Sequence, residues 1–150
     1  MILKPRIFLD TSALFAGIWS AEGGARMLLR LGEAEMVGLL VSSQVLSEIE
    51  AVIRRKAIHT LPLLAVLIDA SRITVVPPPP AELFTLCQEL IPHPGDARIL
   101  ADAWSSAADY LVTLDKAHFL SLPGLSRRLP FPLGAPGDCL AWYRAKLQEG

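Results

Sequence analysis

The sequence lacks three features that would place it in a specialised class of proteins. Only two of its 150 residues are cysteines, Cys87 and Cys139, which excludes a disulfide framework and the cysteine and histidine spacing of a structural zinc site. Its longest stretches without a charged residue reach about a dozen residues, whereas a membrane-spanning helix needs about 20. No apolar leader with a small-residue cleavage site follows the first residues. We therefore expect a cytoplasmic protein that does not enter a membrane.

An excess of charge of either sign is also missing. The 14 Lys and Arg residues stand against 15 Asp and Glu residues, a formal net charge of −1, which excludes a basic coat for nucleic acid but not a local basic groove. Apolar residues are plentiful, at 52% against 19% charged residues, and this composition excludes a disordered or fibrous chain. The length predicts a single domain that covers residues 1–150.

Short apolar runs alternate with segments of helical periodicity along the chain. The runs predict four strands, at residues 6–9, 36–41, 73–76 and 110–113. Apolar residues at helical spacing predict helices that begin near residue 11, cover 25–31, 45–56, 61–70, 81–91 and 96–108, and end with one that runs through residue 147. A fifth strand at 129–133 would be restricted to a sheet edge by its two prolines. This order predicts a Rossmann-like, three-layer α/β/α fold, with a mostly parallel sheet of four to five strands and helices on both faces.

Acidic residues follow the predicted strands at the edge where such sheets bind ligands. Asp10 ends the first strand, and Asp115 lies two residues past the fourth. Asp96 begins the helix that leads into the fourth strand, and Glu48 lies one turn into the helix after the second. Ligands of parallel sheets bind outside the carboxyl ends of the strands. If the first and fourth strands are neighbours, we expect these four carboxylates to converge.

Four converging carboxylates would repel one another strongly. At a separation of about 4 Å, each pair costs about 4 kcal/mol at an effective dielectric constant of 20. The cluster must therefore take up protons or bind cations. Oxygen ligands, with no Cys or His expected nearby, favour a hard divalent ion such as Mg²⁺ or Mn²⁺. Such an ion in an open carboxylate site is suited to phosphodiester cleavage.

Each acid also has an interpretation that involves no chemistry, and for Asp115 it is the cap of a short turn at residues 116–119. Asp10, before a Thr-Ser pair, and Asp96, after a Pro-Gly pair, are both suitable helix N-caps. Glu48 has Glu50 and Arg54 nearby and is suited to an exposed network of i,i+4 ion pairs. Spacing alone does not decide between these interpretations and a functional site.

Other polar residues near the acids are assigned weaker roles or none. Asp102 lies six residues beyond Asp96, about 120° away around a helix, so we expect it to be solvated or secondary to the site. Arg98, on the same predicted helix, either contacts a phosphate of the substrate, neutralises the acids or lies on the helix surface. The histidines show neither metal-ligand nor triad spacing, and we assign none of them to catalysis; they are His59, His93 and His118.

Four sequence segments together resemble PIN-domain ribonucleases, including the VapC-type toxins of prokaryotes. They are Phe-Leu-Asp-Thr-Ser at 8–12, Val-Leu-Ser-Glu-Ile at 45–49, Gly-Asp-Ala-Arg-Ile-Leu-Ala at 95–101 and Asp-Tyr-Leu-Val-Thr-Leu-Asp at 109–115, which is followed by His-Phe at 118–119. The segments occur in the family's order and span most of the chain.

The resemblance implies a site, a cofactor, a substrate and partners. It implies that the catalytic and metal-binding acids are Asp10, Glu48, Asp96 and Asp115, supported by the hydroxyl groups of Ser12 and Thr113. It implies a PIN-like fold, Mg²⁺ or Mn²⁺ as the cofactor and RNA as the substrate of an endoribonuclease. Many such proteins are the toxins of toxin–antitoxin pairs and assemble as dimers, so a cognate antitoxin and a homodimer are also implied.

Two other functions remain open on the sequence. The first is a phosphatase with Asp10 as an aspartyl nucleophile, similar to haloacid-dehalogenase-like enzymes. Those enzymes need a second Asp two residues on, where this chain has Ser12, and a Lys near the final acids, where Lys116 is misplaced. The second is a PIN-fold module that binds a partner and cuts no RNA.

Overall fold

The centre of the molecule is a sheet of five parallel strands. The computed structural model describes residues 4–149, except for the side chains of Lys116 and Ala117. The strands are β1 (Arg6–Leu9), β2 (Gly38–Ser42), β3 (Thr74–Val76), β4 (Tyr110–Val112) and β5 (Leu133–Gly134). Their order is β3-β2-β1-β4-β5, and every neighbouring pair is parallel. The predicted three-layer α/β/α class with a parallel sheet is confirmed.

Helices form the crossovers that parallel strands require. They are α1 (Thr11–Trp19), α2 (Gly24–Glu33), α3 (Ser43–Lys56), α4 (Leu61–Ala70), α5 (Ala81–Leu90), α6 (Pro94–Ser105) and α7 (Pro136–Glu149). A single π-helical turn, Lys116–Leu120, follows β4. None of the helices within residues 4–149 combines the length and the apolar character that crossing a lipid bilayer requires.

The middle strand of the sheet, β1, and its neighbour β4 lie in the core of the fold. Ile7, Phe8, Leu111 and Val112 have no exposed surface, and Phe8 is in register with Leu111. Because parallel sheets are covered on both faces, their strands need continuous apolar runs in place of alternating ones. This explains why the short runs in the sequence identify these strands.

The element boundaries agree with most of the predicted ones. β1 and α4 have the predicted bounds. β5 forms at the sheet edge and begins only after Pro132, because proline has no N–H to donate to a neighbouring strand. Helix α6 begins at Pro94 with His93 as its N-cap, which places Asp96 in the first turn and corrects its interpretation as the cap.

The strand order changes direction at β1, and this feature positions the site. From β1 the chain builds the sheet to one side through β2 and β3, and then to the other side through β4 and β5. Adjacent strands whose connections leave in opposite directions open a crevice at their carboxyl ends. The residues that follow β1 and β4 therefore meet at the place where this class of sheet binds ligands.

Candidate functional site

A cavity of about 410 Å³ lies at the carboxyl ends of β1 and β4. The four predicted acids, Asp10, Glu48, Asp96 and Asp115, all line it. They come from four different segments of the chain, and the pairing of β1 with β4 meets the condition under which we expected them to converge. Among the residues whose side chains the structure describes, no Lys or Arg lines this cavity.

Asp10 both caps a helix and faces the cavity. Its Oδ1 atom accepts hydrogen bonds from the backbone N–H of Ala13, at 2.8 Å, and from the Ser12 hydroxyl, at 2.7 Å. Burial raises the pKa of Asp10, and the negative charge of Asp115 raises it further. Hydrogen bonds from Thr113, Ala13 and Ser12 act in the opposite direction. The capping interpretation therefore holds together with a position in the acidic site.

Two hydroxyl groups connect the segments that carry Asp10 and Asp115. The Ser12 hydroxyl, which donates to Asp10, also accepts a hydrogen bond from the backbone N–H of Leu114 at 3.0 Å. The Thr113 hydroxyl accepts from the backbone N–H of Asp115 at 2.9 Å, and Thr113 itself is fully buried. Both residues therefore lie where they restrict the orientation of an acid next to them.

Glu48 is held toward the cavity by neighbours on two helices. The Thr11 hydroxyl donates to its Oε2 atom at 2.5 Å, and the Gln44 amide donates to its Oε1 atom at 3.0 Å. The ion pair expected on the surface of α3 forms between Arg54 and Glu50, at 2.8 Å, and does not include Glu48. The position of Glu48 is thus set by contacts at the cavity.

Asp96 has one carboxylate oxygen that no donor in the described part of the chain satisfies. Its side chain is 14% exposed, and its Oδ2 atom is buried without a hydrogen-bond donor among the residues that the structure describes. Burial raises the pKa of Asp96, and the charges of Asp115 and Glu48 raise it further. The positive charges that His118 and His93 carry when they are protonated lower it. The four acids are therefore electrostatically coupled, as well as being close in space.

Two histidines lie at the site, which corrects the expectation of a neighbourhood without His. The Nδ1 atom of His118 lies 2.8 Å from Oδ2 of Asp96 and 3.0 Å from Oδ2 of Asp115. The Nδ1 atom of His93 lies 3.2 Å from the same Asp96 oxygen. The available signal was the spacing, because each histidine is three residues from an acid and helical turns bring such residues together.

Arg98 and Asp102 lie on α6 but do not line the cavity. Asp102 is fully buried, which contradicts the expectation of a solvated residue. Burial raises its pKa, while Arg98, with its Nε atom 3.4 Å from Oδ1 of Asp102, and a hydrogen bond from Ser42 lower it. The reason is packing: α6 lies against β2, so the helix face that carries Asp102 is covered.

The donor set of the cavity fits a divalent cation. Carboxylate oxygens converge there without a Lys or Arg to balance them among the described side chains. One carboxylate oxygen of Asp96 is buried without a donor, and burial has raised the pKa values of both Asp10 and Asp96. A cation in contact with these oxygens would remove both penalties.

Comparisons with known proteins agree with this architecture. A family model described as PIN domain matches residues 6–117. No curated protein matches the chain. The crystal structure of PAE2754 from Pyrobaculum aerophilum superposes with a TM-score of 0.62 at 17% identity, covering 94% of this chain and 90% of that chain. The structure of VapBC2 from Rickettsia felis, bound to a DNA fragment from their promoter, superposes with a TM-score of 0.62 at 19% identity, covering 86% of this chain and 98% of that chain.

Proposed function

The chain belongs to the PIN domain family, and we propose that it is a metal-dependent endoribonuclease that hydrolyses RNA phosphodiester bonds. The single observation that carries the proposal is that Asp10, Glu48, Asp96 and Asp115 line one cavity at the carboxyl ends of β1 and β4. PIN domains are generally nucleases, and this chain retains an acid at each of the four positions. The proposal treats residues 1–150 as one domain.

Three of the acids are the proposed metal ligands. Asp10, Asp96 and Asp115 would hold Mg²⁺ or Mn²⁺, and Glu48 would contribute directly or through a water molecule. When bound, such an ion supplies an activated water and offsets the charge that develops on the phosphate. The same acids would repel an RNA phosphate if they remained uncompensated, so cation binding and substrate binding should be coupled.

The chain's own residues orient the acids. Ser12 and Thr113 restrict the side chain of Asp10 and the loop that carries Asp115. Thr11 holds Glu48 in place at the cavity. Arg98 is 37% exposed beside Asp102, and we retain it as a proposed phosphate contact on α6, outside the cavity.

We further propose that the chain is the toxin of a toxin–antitoxin pair, a cytoplasmic protein that forms homodimers and binds an antitoxin. VapBC2, whose structure has the same fold, is a precedent for a partner complex. Among the exposed large apolar side chains, those of Leu63 and Val66 lie three residues apart on α4, where they supply an apolar contact for the proposed partner.

Replacement of Asp10 tests the nuclease. The Asn side chain of Asp10→Asn retains an oxygen that can accept from Ala13 and Ser12, so the cap and the fold should survive while a charged ligand is lost. We expect cleavage of a labelled single-stranded RNA in the presence of Mn²⁺ or Mg²⁺ by the wild type, and none by this variant. Asp69→Asn, at an exposed residue of α4, is the matched control and should cleave normally.

Retained cleavage by a folded Asp10→Asn variant would exclude the mechanism. Cation binding by a wild-type chain that cuts no RNA of any sequence would favour the binding module in its place. A covalent phosphoryl adduct on Asp10 would favour the phosphatase; the Lys116 side chain that this function would require lies outside the described residues.

A further inference from the structure

His93 and His118 form a pair at the side of the cavity where Asp96 lies. Their rings stack, with centroids 5.0 Å apart and an angle of 14° between the ring planes. One ring nitrogen of each histidine and one carboxylate oxygen of Asp96 all lie within 4.8 Å of one another. Ligands of one ion, each about 2.1 Å from it, are at most about 4.2 Å apart, so small side-chain rotations bring these three atoms into a ligand set.

With His93 in its neutral form, the local hydrogen bonds leave two electron pairs facing each other. The Nδ1 atom of His93 accepts from the backbone N–H of Asp96 at 3.3 Å, so in this contact it carries no proton. The same atom lies 3.2 Å from Oδ2 of Asp96, which is buried without a hydrogen-bond donor among the described residues. Two electron-pair donors at this distance repel each other unless a cation lies beside both.

His118 lies on the segment that links Asp96 to Asp115. Its Nδ1 atom is 2.8 Å from one carboxylate and 3.0 Å from the other, yet Oδ2 of Asp96 receives no hydrogen bond of acceptable angle. The ring is carried by the π-helical turn Lys116–Leu120, an irregular turn that is frequent at functional sites. The backbone N–H of His118 also donates to Oδ1 of Asp115 at 2.9 Å. Ring and acid are therefore held together by more than one contact.

We propose that His93 and His118 supply nitrogen ligands to the cation site, which makes it a mixed nitrogen–oxygen site in place of a carboxylate one. This inference deepens the proposed function and rests on its cation site. Imidazole nitrogen suits transition ions, whereas Mg²⁺ prefers oxygen ligands. The site should therefore select Mn²⁺ and the later divalent transition ions over Mg²⁺.

A protonated His118 gives a competing account of the same distances. An imidazolium between Asp96 and Asp115 would act as a counter-ion, and a metal would then displace it and bind oxygens only. The two accounts differ in whether nitrogen touches the metal. Pulsed electron paramagnetic resonance of bound Mn²⁺ detects nitrogen coordination directly, without any reference to RNA cleavage.

The experiment uses the full chain loaded with Mn²⁺, with every variant measured at the same pH. The test variant is His93→Asn with His118→Asn, since Asn at residue 93 retains a helix-capping acceptor. His59→Asn, at an exposed residue outside the site, is the matched control. We expect nitrogen modulation in the wild type and the control and none in the double variant. The ratio of Mn²⁺ to Mg²⁺ affinity should fall in the double variant by at least about tenfold, the lower end of the loss seen when a metal site loses a supporting contact.

The possible results separate this inference from the nuclease. Absence of nitrogen modulation in the wild type, its persistence in the folded double variant, or failure of the chain to bind Mn²⁺ would each overturn the inference. Nitrogen modulation in a chain that cuts no RNA would support the inference and contradict the nuclease. RNA cleavage without nitrogen modulation would support the nuclease and contradict the inference.

Discussion

At the residue scale, the Ser12 hydroxyl makes hydrogen bonds to two different segments of the chain. It donates to Asp10 and accepts from the backbone N–H of Leu114, which joins the segment after β1 to the segment after β4. Residues that orient a metal ligand without touching the metal influence affinity because they reduce the freedom that the ligand loses on binding. We therefore propose that Ser12 positions Asp10 in this site.

Ser12→Ala should weaken cation binding and leave the fold intact. Loss of such a supporting contact costs about 10–100-fold in metal affinity. Calorimetric titration with Mn²⁺ measures this loss, and Ser47→Ala, at an exposed residue of α3, is the control that should bind like the wild type. An unchanged dissociation constant for Ser12→Ala would contradict the positioning role.

Asp102 makes stability depend on pH. Burial raises the pKa of this carboxyl in the folded chain, so the folded state binds more protons than the unfolded state does. Asp102 should therefore contribute its full stabilisation of the folded state below about pH 4. This contribution should be lost as the pH rises through the raised pKa. Arg98 limits this loss, because it stabilises the ionised form of Asp102.

Asp102→Asn should remove that contribution to the pH dependence. Urea denaturation at a series of pH values should give a smaller decrease of stability with rising pH in this variant than in the wild type. Asp69→Asn, at an exposed residue, should retain the wild-type slope. If Asp102→Asn and the wild type have the same slope, the buried carboxyl is not the source of the dependence.

At the scale of elements, the close packing of α2 depends on the absence of a side chain at Gly32. A methyl group there would lie about 2.5 Å from the Leu39 side chain on β2 and 2.6 Å from the carbonyl oxygen of Ser71. The second contact is with backbone, which cannot rotate away. The helix could accept a methyl group only by moving away from the sheet.

Gly32→Ala should destabilise the protein even though alanine favours helices more than glycine does. Overpacking of this kind costs about 1–3 kcal/mol. Gly137→Ala, in α7, is the matched control, because a methyl group there meets nothing within 4 Å, and it should be neutral or stabilising by up to about 1 kcal/mol. Thermal unfolding of both variants checks the difference, and equal midpoints would contradict the packing argument.

At the scale of the whole molecule, the acidic cavity is a source of instability that the fold tolerates. The pKa values of Asp10 and Asp96 are raised because the acids are buried, and each is raised further by at least one other acid. Asp10 and Asp115 follow β1 and β4, two buried strands of the sheet, so relief of the repulsion should stabilise the entire fold. A ligand that binds only the folded state stabilises it in proportion to the logarithm of its concentration.

Mn²⁺ should raise the unfolding temperature, and a chelator should lower it to the value of the metal-free protein. At about 100 times the dissociation constant, binding contributes about 2.7 kcal/mol, or about 5–10 °C for a chain of this size. Sodium chloride at matched ionic strength should give no comparable shift. The same midpoint with Mn²⁺ and with chelator would show that no cation binds the folded chain.

Local sequence pattern was sufficient for much of this description. Continuous apolar runs identified the buried strands, because a strand covered on both faces has no polar alternation, and the acids at residues 10 and 115 were placed by where those runs end. The edge position of the fifth strand followed from its prolines alone. These properties are determined by residues close together in the chain, so a single sequence is sufficient to predict them.

Packing between distant segments determined the rest. The pairing of β1 with β4, about 100 residues apart, brings Asp10 toward Asp115. From the sequence, this pairing could be stated only as the condition under which the acids converge. The burial of Asp102 requires α6 to lie against β2, and the contact of His118 with Asp96 requires the turn after β4 to reach the start of α6. Side-chain environments of this kind depend on which surfaces cover one another, and periodicity along the chain does not record that.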